Sequence, residues 1–425
     1  MNVYFDTIGC RLNQSEIEMM AAQFRRAGHN IVDDAGKADL VVVNTCAVTS
    51  AAASDSRQKI RQAAHKGAGQ IIATGCWATL EPHAALNLPG VENVVLNENK
   101  DHLVSDFLHI TPMVFDLEPL AREPLPGDHL RTRAFLKVQD GCDNFCTFCI
   151  TRVARGKGVS RSLAEVMVDV KNALDGGVKE IVLTGVHLGS WGKDIDQTSH
   201  LRDLNETILK ETNVQRLRLS SLEPWDLGES FFSLWEDPRL CPHLHLPLQS
   251  GSRTILKRMA RKTTPEKYMR IVQDARAVVP DIAITTDMIV GFPGETDELF
   301  EESLAFVKQV NFAGGHIFPF SARPGTAAAT YDQQIPKAIR KRRSAAMRAV
   351  FAEMTHNYQS TYLGKNVEVL WESGEHQSDG SWLMKGLTGN YLRIAAKSTN
   401  DLANTITRTK IVSFSEHGLD GEIIC

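Results

Sequence analysis

Through its first hundred residues the chain alternates short apolar runs with stretches of helical periodicity: Val3 to Ile8 then 13–27, Leu40 to Val43 then 52–66, and Gln70 to Thr74 then a short helix near 81–86. Such alternation restricts the fold to βαβ units carrying a parallel sheet. Each apolar run is followed within three residues by a cysteine, in Gly9-Cys10, Asn44-Thr45-Cys46 and Gly75-Cys76. Ligands of open α/β sheets bind at the carboxyl ends of the strands, so the spacing predicts that Cys10, Cys46 and Cys76 converge on one sheet edge. A single free cysteine is commonly a small buried hydrophobe; three at equivalent strand ends point to a shared site.

From Ala134 the rhythm resumes on a larger scale. Candidate strands are Phe135–Gln139, Glu180–Thr184, Gln215–Ser220, His243–Leu248, Ile282–Val290 and Gly315–Phe320, with helical patterns near 162–175, 203–211, 253–278 and 297–309. Six strands with intervening helices predict a partial β/α barrel, whose loops at the strand C-termini build a site. Directly after the first of these strands comes Gly141-Cys142-Asp143-Asn144-Phe145-Cys146-Thr147-Phe148-Cys149, a CxxxCxxC run. Three thiolates on one loop suit an iron–sulfur cube and leave one iron without a protein ligand. The alternative, a zinc site, wants a fourth Cys or His close by, and the nearest downstream histidine is His187.

Pro112, Pro119, Pro124 and Pro126 around Gly127 mark 113–133 as a linker. After Gly364, the runs Asn366–Trp371, Ser381–Gly386, Asn390–Ala395 and Thr405–Ser413 fit a small β domain of a kind that often binds nucleic acid. The expected organisation is an α/β domain over 1–112, the linker, a barrel domain over 134–360 and a β domain over 361–425.

A chain of 425 residues is too long for one ordinary core. Its opening, MNVYFDTIGC, lacks the basic and apolar regions of an export signal, and no apolar run approaches the roughly 18 residues of a membrane span. A cytoplasmic protein without a membrane partner is expected. Eight cysteines in that setting argue for metal or redox duty over a disulfide framework. The net charge of −4 gives no global attraction to nucleic acid, so any RNA contact needs a local patch. Between Gln333 and Ala352 there is no acidic residue, while Lys337, Arg340, Lys341, Arg342, Arg343 and Arg348 are basic. Two readings stay open there, a solvated helix face and an element that contacts phosphates.

CxxxCxxC, with aromatic Phe148 before its last cysteine, resembles the radical S-adenosylmethionine superfamily. Gly9-Cys10-Arg11-Leu12-Asn13-Gln14, Asn44-Thr45-Cys46-Ala47-Val48-Thr49 and Thr74-Gly75-Cys76 are similar to the three amino-terminal motifs of methylthiotransferases. Arg155-Gly156, Arg161-Ser162, Leu217 to Pro224, His245 to Gly251 and Asp287 to Glu295 resemble their radical domain, and the carboxyl-terminal segment a TRAM domain. Within the family the resemblance is greatest to the branch that methylthiolates N6-threonylcarbamoyladenosine beside the tRNA anticodon. One departure is Ile150-Thr151-Arg152-Val153, where many members carry an apolar residue, proline and an aromatic.

The resemblance implies two [4Fe-4S] clusters. Cys10, Cys46 and Cys76 would hold an auxiliary cluster that carries the sulfur; Cys142, Cys146 and Cys149 would hold the cluster that cleaves S-adenosylmethionine. One molecule of the latter would methylate the sulfur, and a second would yield the radical that activates adenine C2–H. By motif position Phe148 would contact the cofactor adenine, Gly185 the methionyl end, and Glu223, Gln249 and Asp287 the sugar or polar groups. Each has an alternative: Glu223 and Asp287 at strand ends can simply cap a loop or helix, and Gly185 can be turn punctuation. Asn13 and Asn44 would orient the auxiliary cluster or serve as turn residues. Arg323 would contact substrate or phosphate, or face solvent, and Arg340, Lys341, Arg342 and Arg343 would contact RNA.

The implied partners are the tRNA anticodon stem-loop, a reductase or a flavodoxin or ferredoxin as electron donor, and a sulfur donor. Other readings are the same chemistry on isopentenyladenosine or on a ribosomal protein side chain, and a non-catalytic iron–sulfur protein that binds RNA and senses redox state. Cys241 is read as packing, Cys425 as an exposed thiol, and Gly176-Gly177 as a helix stop.

Overall fold

The structure, a computed structural model, describes residues 1–111, 121–126, 132–196, 198–416 and 418–424. Pro112, Pro119 and Gly127 of the expected linker, and Cys425, lie outside them. The fold is mixed α/β, and its contacts gather into two compact units.

The first unit comprises Met1–Gly177, Leu183–Ser199 and Ser321–Ala329. Its sheet holds β1 (Asn2–Thr7), β2 (Asn30–Ile31), β3 (Leu40–Thr45), β4 (Gln70–Gly75) and β5 (Val91–Val95), in the order β2-β1-β3-β4-β5 with every pairing parallel. All six residues of β3 are buried. A parallel strand covered on both faces reads as one continuous apolar run, which is why Leu40 to Val43 stands out in the sequence. Phe5, Leu40, Val42 and Ile72 pack on one face with Phe24, and Val41, Val43, Ile71 and Ala73 on the other with Ile60 and Trp77. Strands β2 and β5 are not predicted. The first has two residues, and the second exposes Glu92 and Asn93 at the sheet edge.

The helices Arg11–Arg26 and Ser50–His65 fall where periodicity places them, the latter capped by the Thr49 hydroxyl, which accepts from the Ala52 N–H at 3.1 Å. The same unit contains β6 (Ala134–Lys137), the antiparallel pair β7 (Gln139–Asp140) and β8 (Val159–Ser160), and the helices Thr151–Arg155 and Leu163–Asp175.

The second unit comprises Val178–Val182, His200–Phe320 and Thr330–Cys425. Strand β9 (Glu180–Thr184) gives it its first three residues, and the Arg216 N–H at the start of β10 (Arg216–Leu219) donates to the Lys179 carbonyl at 3.1 Å. Parallel bridges Leu217–Leu240 and Ser221–His245 join β10 to the β11 segment (His243–His245), and β11, β12 (Ala283–Val290) and β13 (Gly314–Pro319) are parallel neighbours. All six expected barrel strands form. The single helix expected over 253–278 is two helices, Arg253–Arg258 and Pro265–Val278. Ala260 turns left-handed (φ 54°), and Thr264 caps a new start with Pro265 in the first turn.

The carboxyl-terminal segment closes into a five-stranded barrel, β14 (Asn366–His376), β15 (Trp382–Thr388), β16 (Arg393–Ser398), β17 (Ile406–Ser415) and β18 (Gly418–Ile423), in the order β14-β15-β16-β18-β17. Four of these strands match expected runs, and the fifth, Gly-Leu-Asp-Gly-Glu-Ile, has too little apolar pattern to be read. Within the second unit this barrel is tied to β10 by polar contacts. Arg216 donates to the carbonyls of Leu387 (3.0 Å) and Glu368 (2.9 Å), and Arg218 to those of Gly389 (2.8 Å) and Thr388 (3.1 Å). Arg218 also pairs with Glu180 at 2.6 Å, and both side chains are fully buried. Among the described residues no helix is long and apolar enough to cross a membrane.

Removing one partner of a buried ion pair costs about 3–5 kcal/mol. Arg218→Met strands the Glu180 carboxylate and releases two barrel carbonyls. The expected outcome is a loss of that size in denaturant titration, with faster amide exchange across residues 366–424. Exchange unchanged there excludes Arg218 as the anchor of the barrel.

Candidate active site

Cys10, Cys46 and Cys76 all lie in the first unit at the ends of β1, β3 and β4. Cys10 precedes the helix Arg11–Arg26, and Cys76 opens the helix Cys76–Leu80. Between them, the Cys46 N–H is held by the Ser56 hydroxyl at 3.0 Å. Two glycines allow the approach. Gly9 has φ +114°, and a Cβ there would stand 2.8 Å from the Cys46 sulfur. Gly75 has φ +92°, and its Cβ would stand 2.4 Å from the Asn44 side-chain oxygen. Both are backbone conformations and clearances that only glycine meets.

Burial pushes the Cys46 thiol up to about 11, and the neighbouring Cys10 and Cys76 sulfurs add to the rise against the Val48 and Ala47 N–H groups. Cys10 reaches the surface, yet desolvation by the surrounding protein raises its thiol too, opposed by Arg155 and reinforced by Cys76 and Glu16. Cys46 feels both other sulfurs and Cys10 feels that of Cys76, so the trio shares one neighbourhood.

Beneath it lies a buried charge network within the first unit. Glu16 accepts from Arg155 (2.8 and 3.2 Å), Lys100 (2.8 Å) and Asn44 (2.9 Å). Arg155 also donates to Asn13 (2.8 Å) and to both oxygens of Asp140 (2.9 Å each). Asn13 donates to the carbonyls of Ile8 and Thr45, and the Cys10 thiol lies 3.6 Å from its oxygen. Asn13 and Asn44 are therefore buried struts behind the cysteines and not turn residues. Asn97 donates to the Ala154 carbonyl at 2.8 Å and reaches the Cys76 sulfur at 3.8 Å. Desolvation would raise the Glu16 carboxyl; Arg155, Lys100 and Lys137 outweigh it and hold the group well below the usual carboxylate range.

The CxxxCxxC loop belongs to the same unit. The Cys142 N–H donates to the Gly156 carbonyl (3.1 Å), the Cys149 N–H to the Cys146 carbonyl (3.1 Å), and the Asn144 N–H points at the Cys142 sulfur (3.4 Å). The three cysteines and Phe148 are half-buried. Gln139 is buried under the loop: its amide nitrogen donates to the carbonyls of Asp140 and Gly141, and its oxygen accepts from the His187 N–H at 2.8 Å. Gly185 presses on the same side chain, leaving 3.0 Å between a hypothetical Cβ and the Gln139 oxygen.

The late segment Ser321–Ala329 reaches both cysteine regions. The Ala328 N–H donates to the Thr147 carbonyl at 2.8 Å, and Ser321 meets Ser50, four residues after Cys46, at 3.2 Å. Arg323 is buried, not solvent-facing. Its guanidinium donates to the Ser50 hydroxyl at 3.3 Å, while its Nε has no partner among the described residues.

Among the described residues no three Cys, His, Asp or Glu side chains are closed up as a metal-binding set. The donor chemistry of both trios nonetheless fits iron–sulfur cubes. Each offers three soft sulfurs, with an amide N–H directed at Cys76 or Cys142 of the kind that tunes cluster potential.

Glu223, Gln249 and Asp287 lie in the second unit. Glu223 caps nothing with its side chain; its carboxylate is gripped by Arg261 at 2.9 and 2.6 Å. Asp287 stands 3.3 Å from the His245 ring, which touches the Thr285 hydroxyl at 3.0 Å. Gln249, at φ 72°, exchanges backbone hydrogen bonds with Asp287 and Ile289. The basic helix is Lys337–Ser360. Expectation and structure part at Arg343, which is buried and paired with Glu295 and Asp297 at 2.8 Å each, so its charge is neutralised internally. Arg340 turns to the Phe320 carbonyl, whereas Lys341 and Arg342 are exposed, Arg342 beside Asp297.

Glu16, Lys100, Asn97 and His187 carry no sequence signal as site residues. Glu16 sits on a helix whose inward face is otherwise read as apolar, and Lys100 lies in a polar Asn-Glu-Asn-Lys-Asp stretch that looks like surface.

Glu16→Gln leaves the buried Lys100 without its anion and Arg155 with Asp140 alone, and about 3–5 kcal/mol of stability is expected to go with it in urea titration of the apoprotein. Because the folded pKa lies below the unfolded value of 4.5, the stability Glu16 contributes is complete above that pH and is lost as the pH falls through the folded value. The wild type should therefore lose stability over this acid range by more than the Gln variant does; parallel acid limbs would contradict the assignment.

Two family models match the chain, the Radical SAM superfamily over residues 136–307 and uncharacterized protein family UPF0004 over residues 2–97. The threonylcarbamoyladenosine tRNA methylthiotransferase MtaB of Bacillus subtilis is 34% identical, covering 99% of this chain and 96% of its own length. That of Thermotoga maritima is 37% identical over 98% and 96%. The tRNA-2-methylthio-N(6)-dimethylallyladenosine synthase of Clostridium tetani is 30% identical over 99% and 95%. Among solved structures, the radical S-adenosylmethionine methyltransferase TsrM of Kitasatospora setae shares the fold with a TM-score of 0.59 at 15% identity, covering 77% of this chain and 75% of that one. With both cysteine trios in place and relatives matched from end to end, the chain belongs to the radical S-adenosylmethionine methylthiotransferase family, in its MtaB branch.

Proposed function

We propose that the protein inserts a methylthio group at C2 of N6-threonylcarbamoyladenosine beside the anticodon of a cytoplasmic tRNA. The observation that carries this reading is the end-to-end similarity to MtaB proteins together with two cysteine trios in one compact unit, tied through Arg155.

Cys10, Cys46 and Cys76 hold the auxiliary [4Fe-4S] cluster, and Cys142, Cys146 and Cys149 hold the one that engages S-adenosylmethionine. When bound, these groups supply a transferable sulfur, a methyl donor and a carbon-centred radical. The protein's part is position and exclusion. Gly9 and Gly75 let the auxiliary loops close on one another, and Asn13 and Asn44 fix them from behind. Gln139 holds the cofactor loop against the 185–187 turn. Phe148 receives the cofactor adenine and Gly185 its methionyl end. Arg323, a buried cation that forms no ion pair among the described residues, receives a negative group of the substrate. Lys341 and Arg342 contact RNA phosphates. Electrons come from a reductase, flavodoxin or ferredoxin, and sulfur from a separate donor.

Similarity to the Clostridium tetani enzyme supports a second reading, in which the adenosine carries an isopentenyl-type substituent. Mass spectrometry of tRNA nucleosides from cells with and without this chain separates the two. Loss of 2-methylthio-threonylcarbamoyladenosine, restored by the wild type but not by Cys46→Ala, is expected; an unchanged methylthio content removes the proposal, and loss of the isopentenyl derivative shifts the substrate. In anaerobically reconstituted protein, replacing Cys142, Cys146 and Cys149 by Ala should remove about half the iron and abolish deoxyadenosine release. Release of no deoxyadenosine by the wild type identifies a redox sensor instead.

A further inference from the structure

Phe145 lies inside the CxxxCxxC loop, directly before Cys146, and is 68% exposed, more than any other large hydrophobic side chain among the described residues. The Arg152 guanidinium lies 3.8 Å from the centre of its ring. Arg152 forms no ion pair among the described residues, in contrast to Arg155 three positions on, which is enclosed by Glu16 and Asp140. Next to Arg152, Val153 is half exposed at 50%, and Lys157 is exposed beyond it. The result is a cation laid on an aromatic ring, with most of the ring still open to solvent, in the loop that holds the cofactor-cleaving site.

We propose that Phe145 and Arg152 form a stacking platform for an unpaired nucleobase of the RNA substrate, next to the adenosine being modified. This rests on the tRNA reading above. Unpaired bases in RNA loops are held by stacking on aromatic rings and on guanidinium planes, and this pair offers both. The cation also suits a strand that carries one phosphate per nucleotide. A protein partner would call for a contiguous apolar patch, and a single ring with one cation is not that. Adjacent Cα atoms are about 3.8 Å apart, so a base on Phe145 sits beside Cys146, at the scale of a nucleotide neighbouring the target. The departure at Ile150-Thr151-Arg152-Val153 acquires a role, since it supplies the guanidinium half of the platform. Phe148 faces a separate task with the cofactor, so the loop carries two aromatics for two ligands.

The test uses the reconstituted full-length enzyme and a synthetic anticodon stem-loop carrying threonylcarbamoyladenosine. Phe145→Ala and Phe145→Leu should both weaken RNA binding, measured by fluorescence anisotropy, by roughly 5- to 150-fold. Phe145→Trp should retain it, and Arg152→Lys should bind more tightly than Arg152→Ala. Iron content and the affinity for S-adenosylmethionine, measured on the same preparations, report whether the loop still forms. As a check that needs no variant, stem-loops with 5-bromouridine scanned through the loop should photocross-link to the peptide containing Phe145. Binding by Phe145→Leu equal to wild type overturns the platform, as does a loss confined to S-adenosylmethionine affinity or a scan in which no loop position cross-links to that peptide. A wild-type enzyme that fails to bind the stem-loop at all sinks the tRNA reading itself, a different result from equal binding by wild type and variants.

Discussion

A carboxylate with no access to water, shared by an arginine, a lysine and an asparagine, is the constraint on which the first unit depends. Glu16 could not be buried alone, since an isolated charge in a protein interior is prohibitively costly. Enclosing it requires Arg155 from beyond the CxxxCxxC loop and Lys100 from beyond β5 to arrive together. Those three residues come from segments that the sequence separates widely, and once paired they fix how the strand ends bearing the amino-terminal cysteines stand relative to the start of the cofactor loop. Such a pair is poor evidence for net stability, because a well-packed apolar replacement often does as well. What it shows here is registry: donors from three separate segments meet on one carboxylate.

The same logic appears in the second unit with different parts. Glu180 and Arg218 are fully buried; Nε and Nη2 of Arg218 donate to Glu180, while Nη1 donates to the Gly389 carbonyl and Nη2 also to that of Thr388, at the end of β15 and beyond. Arginine suits this because its guanidinium presents several fixed donors at once. The small barrel is joined to the β10 strand by polar contacts with defined directions, a join more selective than an apolar patch. In both units the ions sit where segments distant in sequence must be brought into a single alignment.

Much of this was legible before the structure. Elements with a clear apolar signature, continuous in β3 and periodic in β12 and the helix Arg11–Arg26, could be placed to within a residue or two, because local pattern and final environment agree. The gathering of Cys10, Cys46 and Cys76 in one unit was legible from their places at strand ends, while their reading as ligands of a cluster came from the family resemblance. The edge strand β5 was not, since one open side removes the alternation that pattern reading needs, and neither was β18, whose Gly-Leu-Asp-Gly-Glu-Ile carries too little apolar pattern. Nor were Glu16 and Lys100, whose meaning lies in partners from other segments. Arg343 shows the reverse error. A run of basic residues looks like an outward-facing patch, and only the folded chain reveals that Glu295 has claimed one of them.

The segment Ser321–Ala329 has a consequence for how the protein comes into being. It supplies contacts to Ser50 and Thr147, yet a ribosome makes it more than 170 residues after the last cysteine of the two trios, Cys149. A nascent chain therefore emerges with all six cysteines of the two trios long before the piece that braces both of their loops. Metal loading at that stage would meet an unfinished enclosure, so delivery of iron and sulfide is best matched to a chain already released, and a carboxyl-terminal truncation before residue 321 would spoil sites that lie wholly in the first 150 residues.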